Sequence, residues 1–292
     1  MPALTIRAHA KINLDLRLDA RRPDGFHPID TLFVRTDVAD QLSASPSPDG
    51  SLSLQIEGDK GLSAGPDNLV LRAAQALQKK GKRTAGANLK LKKEIPQGAG
   101  LGGGSSDAAA ALILLRNLWA LTVSDAELSE IGACLGSDVP FFLQSSPARG
   151  TGKGEILESI PLQSLPWAVL IFPGFGSPTT EAYRRYAANR RPGEEGRAIP
   201  LTLPGGKTYE LKPRNDLEPA VEEKFLWIRT ARHWLAQQPG VLAARMSGSG
   251  STVFGLWATE SAAKAVMDRA KGYFGNRIWI QVTRLLGAGE AH

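Results

Sequence analysis

Residues 98–104 constrain this chain more than any other stretch, because five of the seven are glycine. They lie in the frame Pro96-Gln97-Gly98-Ala99-Gly100-Leu101-Gly102-Gly103-Gly104-Ser105-Ser106-Asp107. A backbone this bare of side chains adopts positive φ freely and lets a ligand come close. The run leads straight into strong helix formers over residues 108–121. A glycine loop opening a helix presents the free N–H groups of the first turn and the positive end of the helix dipole, which together hold an anion. Ser105 and Ser106 add hydroxyl donors, and Asp107 must point away from any phosphate. No Gly-Lys-Ser/Thr follows the glycines, which excludes a Walker A loop. The loose dinucleotide-type glycine pattern is set aside because the preceding hundred residues show no βαβ unit.

Two more constellations carry polar side chains in chemically suggestive places. In Ala8-His9-Ala10-Lys11-Ile12-Asn13-Leu14 the two-residue period of a strand puts His9, Lys11 and Asn13 on one face and Ile12 and Leu14 on the other. Such a face is either a solvated surface or the place of a catalytic Lys11. In Gly136-Ser137-Asp138-Val139-Pro140-Phe141-Phe142 an aspartate precedes an apolar, strand-like run. Asp138 is either a turn residue or the base that phosphoryl transfer to a hydroxyl requires.

The rest of the chain reads as α+β. Alternation predicts strands over residues 4–8, 12–18, 31–36 and 51–56, with a turn at Arg22-Pro23-Asp24-Gly25 and a polar loop over 43–50. Asp67 or Asn68 caps a helix to about residue 80, and a short strand over 87–93 precedes Pro96. Ser124 with Glu127 reads as a capping box. Later come a strand over 167–172, a Pro/Gly/Arg-rich exposed loop over 190–206 and a helix over 218–238. A hairpin of 243–246 and 252–257, a helix over 261–273 and a strand over 278–284 close the chain. With 292 residues and a domain break expected near 150–165, two domains are predicted, 1–160 and 161–292.

Composition narrows the function classes. A single cysteine, Cys134, excludes an internal disulfide and a multi-cysteine zinc site. The start shows no basic segment followed by an apolar run, and no apolar run approaches the ~20 residues of a bilayer span. A soluble, cytoplasmic protein without membrane contact is expected. The net charge of +6 suits an anionic small-molecule ligand. The basic residues are scattered without interleaved aromatics, so nucleic acid is not the expected partner.

Taken together these segments resemble the GHMP kinases. That superfamily's signature, Pro-x-Gly-x-Gly-Leu-Gly-x-x-x-Ser-Ser-(Ser/Asp/Asn)-Ala, is similar to residues 96–108, and its late glycine-serine turn to Met246-Ser247-Gly248-Ser249-Gly250-Ser251. The resemblance is strongest to the branch acting on a cytidine-diphospho-methylerythritol, through Ala10–Leu14, Arg22-Pro23-Asp24-Gly25-Phe26-His27 and Gly136–Phe142. It implies a ribosomal-protein-type N-terminal domain, a ferredoxin-like C-terminal domain, and transfer of the ATP γ-phosphate to an alcohol. It implies Lys11 and Asp138 as catalytic pair and Pro96 through Ser106 as phosphate cradle, with Gln97, Gly98, Ala99, Gly100, Leu101, Gly102, Gly103, Gly104 and Ser105 between them. Asn68 and Lys93 fall near the adenosine. Asn13, Phe26, His27, Phe33 and Tyr183 fall to the cytidyl substrate, the aromatics to sandwich its base. Phe26 stands where tyrosine is also common. Mg²⁺ is expected with ATP, but the resemblance places no ligands for it, and the oligomeric state is not indicated.

Overall fold

The computed structural model describes residues 3–23, 25–59, 61–81, 85–144 and 147–290. The first half contains β1 (Leu4–Leu18), β2 (Ile29–Ser47), β3 (Leu52–Glu57), α1 (Leu69–Gly81), β4 (Gly86–Lys92), α2 (Gly103–Leu118), α3 (Asp125–Leu135), α4 (Val139–Phe142), β5 (Ala148–Gly152) and β6 (Ile156–Ser159). The second contains β7 (Trp167–Phe172), α5 (Thr179–Asn189), β8 (Ile199–Thr202), β9 (Thr208–Leu211), α6 (Glu218–Lys224), α7 (Leu226–Ala236), β10 (Ala243–Met246), β11 (Val253–Trp257), α8 (Glu260–Phe274) and β12 (Trp279–Leu286).

The α+β expectation holds. A ten-stranded sheet runs β10-β11-β7-β12-β2-β4-β3, with β1 and β5 also on β2, and β6 on β5. All its pairings are antiparallel except β3 with β4. The seam between the halves is short: Leu285 and Leu286 of β12 pair with Thr36 and Arg35 of β2. Beneath the seam Ile12, Leu14 and Val34 share one core cluster with Leu170, Phe254 and Leu285.

Local chemistry explains the elements that position the site. Asn68 Oδ1 accepts from Val70 N at 2.9 Å, capping α1, whose buried Val70, Ala73, Ala74 and Leu77 follow helical spacing. α2 is buried on nearly every side, as its Ala/Leu run requires. The capping box of Ser124 and Glu127 opens α3 as predicted.

Five sequence expectations need correction. The two N-terminal strands are one, β1. Residues 43–47 are strand, because β2 is hydrogen-bonded to β1 and β4 on its two sides and inward Leu42 and Ala44 keep the alternation under a polar disguise. Residues 139–142 form a helical turn. Residues 190–206 include β8, whose buried Ile199 and Leu201 face the core while the strand pairs with β9. The helix expected over 218–238 breaks at Phe225 (φ −117°, ψ 80°), whose ring packs 5.3 Å from that of Phe175. α5 went unpredicted because only Ala182 and Tyr186 of its polar sequence are buried. The turn at residues 22–25 is closed by Gly25 N–H donating to Arg22 O at 2.9 Å, and Asp24 lies outside the described residues.

Candidate functional site

The glycine loop of residues 96–106 is held from below and from the side. Gly102 caps α2 in the left-handed region (φ 70°), and no side chain caps the first turn. A Cβ there would sit 3.0 Å from Lys11 Cγ and from Phe142 Cζ, so only glycine lets the loop lie on β1 and α4. Lys11 N–H donates to Leu101 O at 2.9 Å, stitching β1 to the loop. On the other side the turn between β10 and β11 abuts the loop: Ser247 Oγ donates to Gly100 O at 3.0 Å and Thr252 N–H to Ala99 O at 3.1 Å.

Asp107 points away from the loop's open side, as its charge requires. It shares the Lys93 ammonium with Asp40: Lys93 Nζ lies 2.7 Å from Asp107 Oδ2 and also bonds Asp40 Oδ2. Asp40 Oδ1 receives the N–H groups of Glu94 and Ile95 at 2.6 and 2.9 Å, which fixes the chain entering the loop. Burial raises the Asp107 carboxyl well above its ordinary range, against the pull of Lys93.

Above the loop, Lys11 and Asn13 sit side by side as the strand period predicts, with Lys11 Nζ donating to Asn13 Oδ1 at 2.7 Å. Asn13 Nδ2 donates to Thr31 Oγ1 at 2.7 Å, and that hydroxyl donates to Asp15 O at 2.6 Å. Asp138, in the turn before α4, brings Oδ2 to 3.4 Å from Lys11 Nζ. Its side chain keeps 30% exposure against 6% for Lys11, so the carboxylate opens to the cavity while the ammonium is walled in. His9 leaves this group. The β1–β2 register slips between His9 and Lys11, and the His9 imidazole bonds Thr36 O and lines a separate cavity of about 580 Å³ behind α2.

These groups line one cavity of about 820 Å³. Gly100 and Gly102 lie at its wall, with Lys11, Asn13, Asp138, Phe26, His27, Phe33 and Tyr183. Phe26 is half-exposed, with the Lys153 ammonium 3.7 Å from its ring centroid. His27 Nδ1 donates to Asp19 O at 3.0 Å, since a carbonyl only accepts. Its buried Nε2 has no hydrogen-bond partner among the described residues. Phe33 is almost wholly buried, 5.0 Å from Phe141, with Lys11 Nζ 5.4 Å from its centroid. Tyr183 has its hydroxyl pushed up to about 12 by burial and by the charge of Asp138.

Other predicted site residues lie elsewhere. Asn68 spends its side chain on the α1 cap and on Ser63 O. Lys93 is committed to its two carboxylates, so its ammonium is a support under the loop rather than an open contact. Ala99 and Leu101 are buried in the shared core, and Gln97 and Gly98 are exposed. Pro96 is half-buried. Gly103, Gly104 and Ser105 form the first turn of α2, while Ser106 is buried and lines the cavity behind it. Sequence reasoning omitted Thr179, Lys153 and the Gly248-Ser249 pair from the site, all of which line the cavity. The glycine-serine turn signalled only the last. Among the described residues no cluster of three His, Cys, Asp or Glu could hold a metal ion.

Comparison with known proteins shows the family and the fold. The family described as GHMP kinases N terminal domain matches residues 68–146, and GHMP kinases C terminal matches 206–276. The chain is 42% identical over 291 residues to 4-diphosphocytidyl-2-C-methyl-D-erythritol kinase of Cereibacter sphaeroides, covering 96% of this chain and 98% of that one. It is 40% identical to the protein of the same name from Pelotomaculum thermopropionicum, covering 91% and 93%. A crystal structure of 4-(cytidine 5'-diphospho)-2C-methyl-D-erythritol kinase superposes with TM-score 0.76 at 32% identity, over 98% of this chain and 100% of that one. The homoserine kinase of Cytophaga hutchinsonii, at 16% identity and TM-score 0.72 over 99% and 96%, shares the fold.

Proposed function

The chain belongs to the GHMP kinases, with the 4-diphosphocytidyl-2-C-methyl-D-erythritol kinases as its relatives, and from that membership we propose that it transfers the γ-phosphate of ATP to the 2-hydroxyl of 4-diphosphocytidyl-2-C-methyl-D-erythritol. This is a step of the non-mevalonate route to isoprenoid precursors. The observation that carries the reading is the Lys11–Asp138 pair, 3.4 Å apart, in the same cavity as Gly100 and Gly102 and as Phe26 and His27.

In this reading the loop from Pro96 to Ser106 cradles the triphosphate on the uncapped first turn of α2. Asp138 accepts the proton of the substrate hydroxyl as its oxygen bonds to the γ-phosphorus and the bond to the β-phosphate oxygen breaks, releasing ADP. Lys11, fixed by Asn13, orients Asp138 and offsets charge on the transferring group. Phe26 and Tyr183 stack the cytosine over the floor formed by Phe33. With Nδ1 donating to Asp19 O, the His27 Nε2, which has no partner among the described residues, accepts from the base's exocyclic amine. Asn68 and Lys93 shape the adenosine end indirectly, through the α1 cap and the chain entering the loop.

The described residues supply no cluster of three His, Cys, Asp or Glu for a metal of the protein's own. Mg²⁺ would be carried on the nucleotide's phosphates and water, shielding their charge, and Asp138 would be the carboxylate nearest to it. Two domains, 1–160 and 161–292, a cytoplasmic location, and no nucleic-acid or membrane partner complete the proposal. No described helix is long and apolar enough to cross a membrane.

Asp138→Asn tests the mechanism. ATP binding should stay near normal while turnover falls by at least ~10²-fold. Near-normal turnover would remove Asp138 from the reaction.

A further inference from the structure

The segment Arg214-Asn215-Asp216-Leu217-Glu218 is buried at Asn215, Asp216, Leu217 and Glu218, although no chemistry proposed for the site uses it. It lies along β1 just past Asn13. Leu16 N–H donates to Arg214 O at 2.7 Å, and Asp216 N–H donates to Leu16 O at 2.9 Å. Asn215 itself forms a parallel bridge with Leu16. Asp216 reinforces the contact, since its Oδ2 accepts from Leu18 N at 2.8 Å.

From this anchor the Asn215 side chain, 1% exposed, reaches the glycine-serine turn. Its Nδ2 donates to Met246 O and to Gly248 O, both at 2.8 Å, while Oδ1 accepts from Leu217 N at 2.9 Å. Both N–H donors are therefore used and the oxygen accepts once, and the amide's orientation is set: only the NH₂ end can face two carbonyls.

The turn it grips stands against the site. A Cβ on Gly248 would be 3.2 Å from Asn13 Oδ1 and 3.6 Å from Lys11 Nζ, and Ser249 lines the cavity. One residue earlier, Ser247 Oγ donates to Gly100 O in the phosphate loop, and Leu101 O of that loop receives Lys11 N–H. The hydrogen bonds thus close a circuit: β1 to phosphate loop, loop to glycine-serine turn, turn to Asn215, and Asn215 back to β1.

We propose that Asn215 is a positioning residue for phosphoryl transfer, the link that fixes the glycine-serine turn and the phosphate loop in register with Lys11. The inference rests on the kinase reading above. The amide acts through the turn and touches neither substrate nor the reacting atoms. Loss of its two donors frees the turn to shift against Lys11 and Gly100, while Phe26 and His27, carried on the segment between β1 and β2, keep their places.

The test is a double-mutant cycle of Asn215→Asp and Ser247→Ala with 4-diphosphocytidyl-2-C-methyl-D-erythritol and ATP. Asn215→Asp keeps the shape and the Leu217 acceptor but turns oxygen toward both carbonyls. It should lower kcat by ~10–100-fold and leave KM for the cytidyl substrate within about twofold. Ser247→Ala should lower kcat less, and the double variant should lose less than the product of the two, because both break one circuit. Leu235→Ala, which opens a cavity in the same half's core, controls for lost stability and should retain kcat. Full kcat in Asn215→Asp, an equal fall in Leu235→Ala, or multiplicative effects in the double variant would overturn the proposal. If the wild type does not turn over this substrate, the reading of the reaction fails instead. The amide resonances of Gly100 and Gly248 then decide the inference: shifted in Asn215→Asp if it is right, unmoved if it is wrong.

Discussion

Replacing Gly100 with alanine probes how the site is assembled, because its cost follows from distances. Gly100 has φ 76°, and a Cβ there would lie 2.6 Å from Ser247 O and 2.7 Å from Gly250 O. The left-handed conformation costs an alanine roughly 1–2 kcal/mol, and overpacking a tight junction adds roughly 1–3. Both opposing atoms are backbone carbonyls, so no side chain can swing aside. Ordinary contact begins at 3.4 Å, so the loop and the turn must separate by about 3.4 − 2.6 = 0.8 Å. A shift of about 1 Å at a reacting centre costs on the order of 10²-fold in rate. Gly100→Ala should therefore destabilise the protein by about 2–5 kcal/mol in urea unfolding and lower kcat by ~10²-fold. KM for the cytidyl substrate should change by no more than about threefold. The control is Gly272→Ala in α8, where a Cβ meets nothing within 4 Å. It should add about 0.5–1 kcal/mol and leave kcat alone. A Gly100→Ala enzyme with kcat within twofold of wild type would refute the claim that the turn's docking sets the phosphate loop's geometry.

Three further outcomes are expected. Phe26→Ala should raise KM for the cytidyl substrate more than it lowers kcat, because base stacking is largely uniform binding; a pure kcat loss in steady-state assays would contradict that role. Burial lifts the Glu218 carboxyl to about 7, with Arg232 and Arg245 opposing. The fold therefore prefers the protonated form, and this stability, full below about 4.5, is lost as pH rises through about 7. Urea unfolding at pH 5 and pH 8 should show Glu218→Gln reducing that slope, with buried Asp107 supplying a remainder of the same sign, whereas a parallel pH dependence in the variant would count against it. Ser124→Ala should cost about 1 kcal/mol through the lost α3 cap without touching kcat, and an unchanged denaturation midpoint would contradict it.

What the sequence revealed divides along local and non-local lines. The glycine loop opening α2, the Lys11/Asn13 face and the capping box are set by neighbouring residues, so pattern alone found them. The Asp138–Lys11 pair spans 127 positions (138 − 11), and only the resemblance joined them before the structure did. Local reading failed where tertiary pairing overruled composition, as at Ser43–Ser47, stabilised as strand by two flanking ladders. His9 was misplaced because a register slip in the pairing is invisible in β1's own alternation. Lys93 was placed near the adenosine by the resemblance alone, and its two carboxylate partners, 53 positions before it and 14 after, are visible only in the structure. Asn215 gave no signal at all, because an asparagine in a polar stretch looks like a surface residue until the two carbonyls it holds are in view.

The most direct test of the account measures ATP consumption by the purified protein with Mg²⁺, offering 4-diphosphocytidyl-2-C-methyl-D-erythritol beside homoserine and mevalonate. The account predicts ADP formation with the cytidyl substrate alone, abolished in Asp138→Asn. Turnover of homoserine or mevalonate without the cytidyl substrate would contradict it, leaving the kinase fold but removing the cytosine pocket built on Phe26, His27 and Tyr183.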